Sequence, residues 1–108
     1  MIDINTSIWN SDQAQQLVLV LCELQDTATM QDFLQDVLTK KEIVEISARL
    51  EAAKLLEQGQ KYTDISQTTK LSSRTIARIS EWLKNGTSGY LKALGILKSH
   101  QTHIPPAR

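Results

Sequence analysis

The chain has 108 residues, 41% of them hydrophobic, with 12 Lys and Arg against 12 Asp and Glu and a single cysteine. That length fits one domain with a modest core, in the size range where a second subunit often completes the burial of apolar surface. Cys22 has no partner for an internal disulfide, no Cys/His cluster offers a metal or cofactor site, and the longest apolar run, Leu17 to Cys22, falls far short of the ~20 residues that cross a bilayer.

The neutral total hides an asymmetry. Residues 1–36 carry Asp3, Asp12, Glu23, Asp26, Asp32 and Asp36 and no Lys or Arg, whereas residues 60–108 carry Lys61, Lys70, Arg74, Arg78, Lys84, Lys92, Lys98 and Arg108 against Asp64 and Glu81. Basic residues gathered in one half can serve a polyanion, although a basic face that only meets water is the plainer reading of charge alone. The opening stretch "MIDINTSIWN" lacks a secretory pattern, so a cytoplasmic protein is expected, with Cys22 as a buried small hydrophobe.

Only helix signals follow along the chain. From about Ser11 to Gln25, Ala14, Leu17, Val18, Leu21, Cys22 and Leu24 recur at helical spacing, while Leu19 and Val20 spread apolar surface to the other side. A helix apolar on two faces needs cover on both, and a partner subunit is the expected cover. A second helix is predicted over about Met30 to Val37, capped by Thr29, with Phe33, Leu34 and Val37 inward. The third begins at "LTKKEI", where Thr39 and Glu42 form a capping box and Leu38 and Ile43 a hydrophobic staple. It continues through Ile46, Leu50 and Ala53 to Gly59, a residue suited to a left-handed cap.

The stretch "DISQTTKLSSRTIARI", residues 64–79, is regular only as two short helices meeting at a turn near Lys70 and Leu71. Thr63 is the expected cap of the first and Ser72 of the second. On a helix-turn-helix template Ile65, Thr69, Leu71, Ile76 and Ile79 take the buried positions, and Ser66 the one that must stay small. Lys70 stands where glycine is usual, because the backbone turns left-handed there, at a cost of about 1 kcal/mol. The second helix is expected to end near Asn85 and Gly86, both tolerant of positive φ, and a last helix to span about Gly89 to Lys98 with Tyr90, Leu91, Leu94 and Leu97 inward. Residues 99–108 read as a disordered, proline-broken tail in which His100 and His103 build no ligand set. Asn85-Gly86-Thr87 is read as a chance glycosylation sequon.

"ARLEAAKLLEQG", the helix-turn-helix and "LKNGTSGY" make residues 12–97 resemble the Trp-repressor superfamily, and within it the YerC/YecD branch. The resemblance implies an all-α fold of six helices per chain, over residues 1–98, assembled as an intertwined homodimer. It also implies a ligand site at which two arginines flank an indole, falling here on Arg49 and Arg78. The glycine that follows the second arginine in that pattern is Ile79 here, and a serine further along is Trp82, so binding of free tryptophan is not expected. Arg49 then reads more plainly as a helix-surface charge that meets a carboxylate or a helix end.

For DNA contact, Ile76, Ile79 and Leu83 occupy the inner side of the second helix and leave Ser73, Arg74, Ala77 and Arg78 outside. Arg74 and Arg78 suit guanine edges, and Ser72, Ser73 and Thr75 suit phosphates or mixed edges at the helix start. Lys61, Thr63 and Lys70 would hold the backbone. The acids are scattered along helix faces and no phosphate loop or catalytic triad can be assembled, so no enzyme is expected. The reading is a sequence-specific, homodimeric, tryptophan-independent DNA-binding regulator with no cofactor; the alternative is an all-α homodimeric protein-binding module that keeps the helix-turn-helix as scaffold.

Overall fold

The computed structural model describes residues 8–101, which contain six α-helices and, among the described residues, no strand. They are α1 (Asp12–Glu23), α2 (Thr27–Val37), α3 (Lys40–Glu57), α4 (Tyr62–Thr69), α5 (Ser73–Asn85) and α6 (Gly89–Gln101). The chain forms two compact units, Met1–Ile43 and Val44–Arg108.

In the first unit, the Ser11 hydroxyl accepts from the Ala14 amide at 3.0 Å and starts α1. The cap of α2 differs from the expectation. Asp26, not Thr29, is its N-cap: one carboxylate oxygen accepts from both the amide and the hydroxyl of Thr29, each at 2.9 Å. A carboxylate at a helix start accepts more strongly than a hydroxyl and also meets the positive end of the helix dipole, so the helix begins three residues earlier than predicted. The amide bond from Thr29, followed by its hydroxyl bond, holds the Asp26 carboxyl below its ordinary pKa.

Neither α1 nor α2 contains a buried residue. Leu17 is 44% exposed and Leu19 60%. Cys22, expected to be buried, is exposed, because nothing within its own unit covers that side of α1.

The capping box of α3 forms as expected. The Thr39 amide donates to the Glu42 carboxylate at 2.8 Å and the Glu42 amide to the Thr39 hydroxyl at 3.1 Å. At the other end, Gly59 is left-handed with φ 84, and the amides of Gly59 and Gln60 donate to the carbonyls of Leu56 and Leu55, each at 3.0 Å. This pairing is the Schellman motif, which fills two carbonyls the helix end leaves open.

The second unit has the core. Ala52, Ala53 and Leu55 of α3, Ile65 of α4, Ile76 and Ile79 of α5 and Leu94 of α6 are buried together, with Leu50, Leu56, Leu71, Leu83 and Tyr90 packed on them. The two alanines are fully buried, and with only a methyl group each they let neighbouring backbone come close. Ile46, Leu91 and Leu97, expected inward, are instead exposed. A stripe wide enough for two contacts is covered on one side only within this unit.

The loop after α5 also differs in detail. Positive φ falls on Ser88 (75°), not on Asn85 or Gly86. Gly86 is needed for a different reason: a Cβ there would run into the carbonyl oxygen of Trp82, which accepts the Gly86 amide at 2.9 Å. Helix α6 continues past Lys98 to Gln101, and Lys98 pairs with Glu57 at 3.0 Å. His100 is an exposed residue of α6, whereas His103 and the rest of the expected tail lie outside the described residues.

Candidate nucleic-acid interface

The geometry of the helix-turn-helix follows from side chains at its corner. Helix α4 ends at Lys70, which is left-handed (φ 64) and donates its amide to the Ser66 carbonyl at 2.8 Å. The Thr69 hydroxyl donates to the Ile65 carbonyl at 2.7 Å and accepts from the Leu71 amide at 3.3 Å. The Ser66 hydroxyl donates to the Leu71 carbonyl at 2.7 Å. Ser66 is therefore more than a small residue: its hydroxyl ties α4 to the chain that leads into α5. Ser72 then caps α5, accepting from the Thr75 amide at 3.1 Å, and its hydroxyl lies 3.1 Å from that of Thr75.

Helix α5 has one buried edge, Ile76 and Ile79, and one open face. Ser73, Arg74, Ala77 and Arg78 are all exposed, and helical spacing places them side by side over the first turn and a half. Neither Arg74 nor Arg78 pairs with a carboxylate of another described residue. Thr75 is half-buried, and its hydroxyl, like that of Ser72, is engaged in the cap.

Glu81, counted in the charge balance but not placed beside the arginines, is exposed one turn after Arg78 and accepts from the Asn85 side chain at 2.7 Å. That carboxylate sets a negative charge beside the arginines, while the exposed Lys84 carries positive charge into the last turn of α5. The spacing 74, 78, 81 would have revealed it.

Lys61 and Thr63 are exposed at the start of α4, about 12 Å along the helix from Lys70. Thr63 is not a cap. Helix α4 starts at Tyr62 with Lys61 as an N-cap that makes no side-chain bond, so Thr63 sits within the first turn. A cation, Lys61 or Lys70, stands at each end of α4, and both precede the arginines of α5 in the chain.

A cavity of about 580 Å³ opens elsewhere in the same unit, lined by Arg49, Ile46 and Leu50 of α3, Trp82 of α5, Thr87, and Gly89, Tyr90 and Ala93 of α6. Arg49 meets no carboxylate of another described residue. Arg78 is not in the lining, so the two arginines that the family resemblance pairs are not brought together on this cavity. Ile79 is in the core and Trp82 forms part of the cavity wall. Among the described residues no group of three or more His, Cys, Asp or Glu is placed to hold a metal ion, and no helix is long and apolar enough to cross a membrane.

Comparison with known proteins matches residues 12–98 to the family described as Trp repressor protein. An uncharacterized protein, YerC of Bacillus subtilis (strain 168), is 32% identical over 90 residues, which cover 83% of this chain and 86% of YerC. A crystal structure of a TrpR-like protein from Eubacterium eligens ATCC 27750 superposes with a TM-score of 0.80 at 33% identity, covering 85% of this chain and 95% of that one. A candidate Trp repressor from Staphylococcus aureus superposes with a TM-score of 0.79 at 26% identity, over 91% of this chain and 96% of its own.

Proposed function

The chain belongs to the Trp repressor family, in its YerC-like branch, and on that premise we propose that it is a sequence-specific DNA-binding transcriptional regulator of the cytoplasm. It acts as a homodimer through α4 and α5 and has no catalytic role. The observation that carries this is the face of α5: two guanidiniums one turn apart, exposed and unpaired with any described carboxylate, on a helix whose other edge is locked in the core. A rigid inner edge gives the outer one a fixed presentation, which readout of base edges requires.

In this mechanism the first half of α5 enters the major groove. Arg74 and Arg78 pair with guanine edges, and the small Ser73 and Ala77 admit the close approach. Lys61, Thr63 and Lys70 contact the sugar-phosphate backbone, and the Ser72–Thr75 cap orders the helix start beside a phosphate. A two-fold dimer then meets half-sites about one helical turn apart. The exposed apolar residues of α1 supply a surface that a second copy would cover.

Free L-tryptophan is not the corepressor in this reading. In the family resemblance Ile79 takes the position of a glycine that gives the ligand room and Trp82 that of a serine; here Ile79 is buried and Trp82 lines the cavity. The test is selection of bound genomic fragments followed by a mobility-shift assay over a range of salt. Phosphate contacts give an affinity that falls steeply as salt rises. If no duplex is retained at low salt, the protein-binding module, favoured by the exposed Val44, Ile46 and Ile96, becomes the better account.

A further inference from the structure

Residue 70 adopts a backbone conformation that glycine reaches freely and lysine only with strain, yet a lysine stands there. Its side chain adds nothing to the core, because Lys70 is exposed and makes no ion pair with a described carboxylate. What glycine could not supply at this corner is the positive charge.

The strained conformation persists because neighbours determine it. The half-buried Thr69 hydroxyl bridges the Ile65 carbonyl and the Leu71 amide, the half-buried Ser66 hydroxyl holds the Leu71 carbonyl, and the Ser66 carbonyl accepts the Lys70 amide. Both polar groups of Leu71 are thus pinned by side chains of α4, and residue 70 lies between the pinned positions. Such over-determination is how a strained residue survives at a functional site.

We propose that Ser66 and Thr69 are positioning residues for DNA binding: their hydroxyls hold the corner left-handed so that a lysine, in place of glycine, presents its ammonium to a backbone phosphate at the expense of stability. This rests on the DNA-binding reading above and adds to it a built-in opposition between stability and affinity at one residue.

The test uses the full chain, random-sequence and selected duplexes, thermal melts, and affinities at several salt concentrations. Lys70→Gly should raise the melting temperature, weaken binding to every duplex by about three- to tenfold, and lower the slope of log affinity against log salt by about 0.9. Lys70→Asn, which also tolerates the left-handed region, should lose the same affinity and slope. Lys70→Arg should retain both. Thr69→Val should reduce affinity and slope when residue 70 is lysine and leave them unchanged in the Lys70→Gly background, where no cation remains to be positioned. If Lys70→Gly binds with wild-type affinity and slope, the proposal is overturned while the DNA-binding reading stands. If Thr69→Val lowers the melting temperature in both backgrounds and never alters the slope, Thr69 is structural only and the positioning role is overturned. Failure of the wild-type chain to bind any duplex at low salt removes both the proposal and the reading beneath it.

Discussion

The Ser66 hydroxyl donates to the Leu71 carbonyl oxygen at 2.7 Å, across the corner that joins the two helices of the helix-turn-helix. Loss of that donor leaves a half-buried carbonyl unpaired, so Ser66→Ala is predicted to destabilise the chain by about 1 kcal/mol. Ser66→Val loses the same donor and puts two methyl groups in place of one hydroxyl where α4 and α5 meet, and is predicted to cost more, about 1 to 3 kcal/mol, by overpacking. Urea unfolding of both variants measures the difference, and equal stability of Ser66→Val and wild type would show that the corner is not tightly packed.

Arg74 and Arg78 are predicted to carry base preference. Each, changed to alanine, should cost about 1 to 3 kcal/mol of duplex affinity and relax selection at one base pair, provided circular dichroism and sedimentation show an unchanged fold and oligomeric state. Binding by both variants as tight and as selective as wild type would remove α5 from the readout.

Helix α1 is predicted to be an intersubunit surface. Leu17 and Leu19 are 44% and 60% exposed, and no residue of α1 is buried within the chain. Leu19→Asp places a charge in that contact and should shift sedimentation towards monomer or unfold the chain, since an unpaired charge in an apolar contact is expensive. A wild-type chain that sediments as a stable, folded monomer at micromolar concentration contradicts this prediction directly.

Free L-tryptophan is predicted not to bind with useful affinity. Ile79 and Trp82, which stand where the family pattern has a glycine and a serine, are the reasons: the first is buried in the core and the second lines the cavity. Isothermal calorimetry decides the matter: saturable heat at tens of micromolar tryptophan would mean that the cavity accepts the ligand despite its altered wall.

Asp26 gives a prediction about acid. Its folded pKa lies below the ordinary 3.8 because the Thr29 amide, and then the Thr29 hydroxyl, donate to the carboxylate. The resulting stabilisation is complete above the unfolded pKa and is lost as pH falls through the folded value, that is, below 3.8. Asp26→Asn keeps an acceptor at the cap but removes the titration, so the N-terminal turn of α2 should lose this acid dependence. Amide chemical shifts of Thr29 recorded from pH 5 to pH 2 read it out; a wild-type inflection at or above 3.8 would contradict the assigned cause.

Local chemistry made much of this chain legible before any coordinates. The Thr39–Glu42 box, the Gly59 stop, the Ser72 cap and the buried set Ile65, Ile76 and Ile79 depend on contacts within a few residues or on helical spacing, and the sequence alone determined them. The outward position of Ser73, Arg74, Ala77 and Arg78 follows from the same spacing once the inner edge of α5 is known. Competition between neighbouring caps was harder to read. Asp26 displaced Thr29, and Lys61 displaced Thr63, because several nearby residues can begin a helix and small differences in packing choose among them. Only the tertiary structure decided which sides of the broad apolar stripes are covered within one chain, leaving Ile46, Leu91 and Cys22 open. It also decided the cavity beside Arg49 and Trp82. That depends on where α3, α5 and α6 cross, and periodicity along one helix carries no information about the helix that will face it.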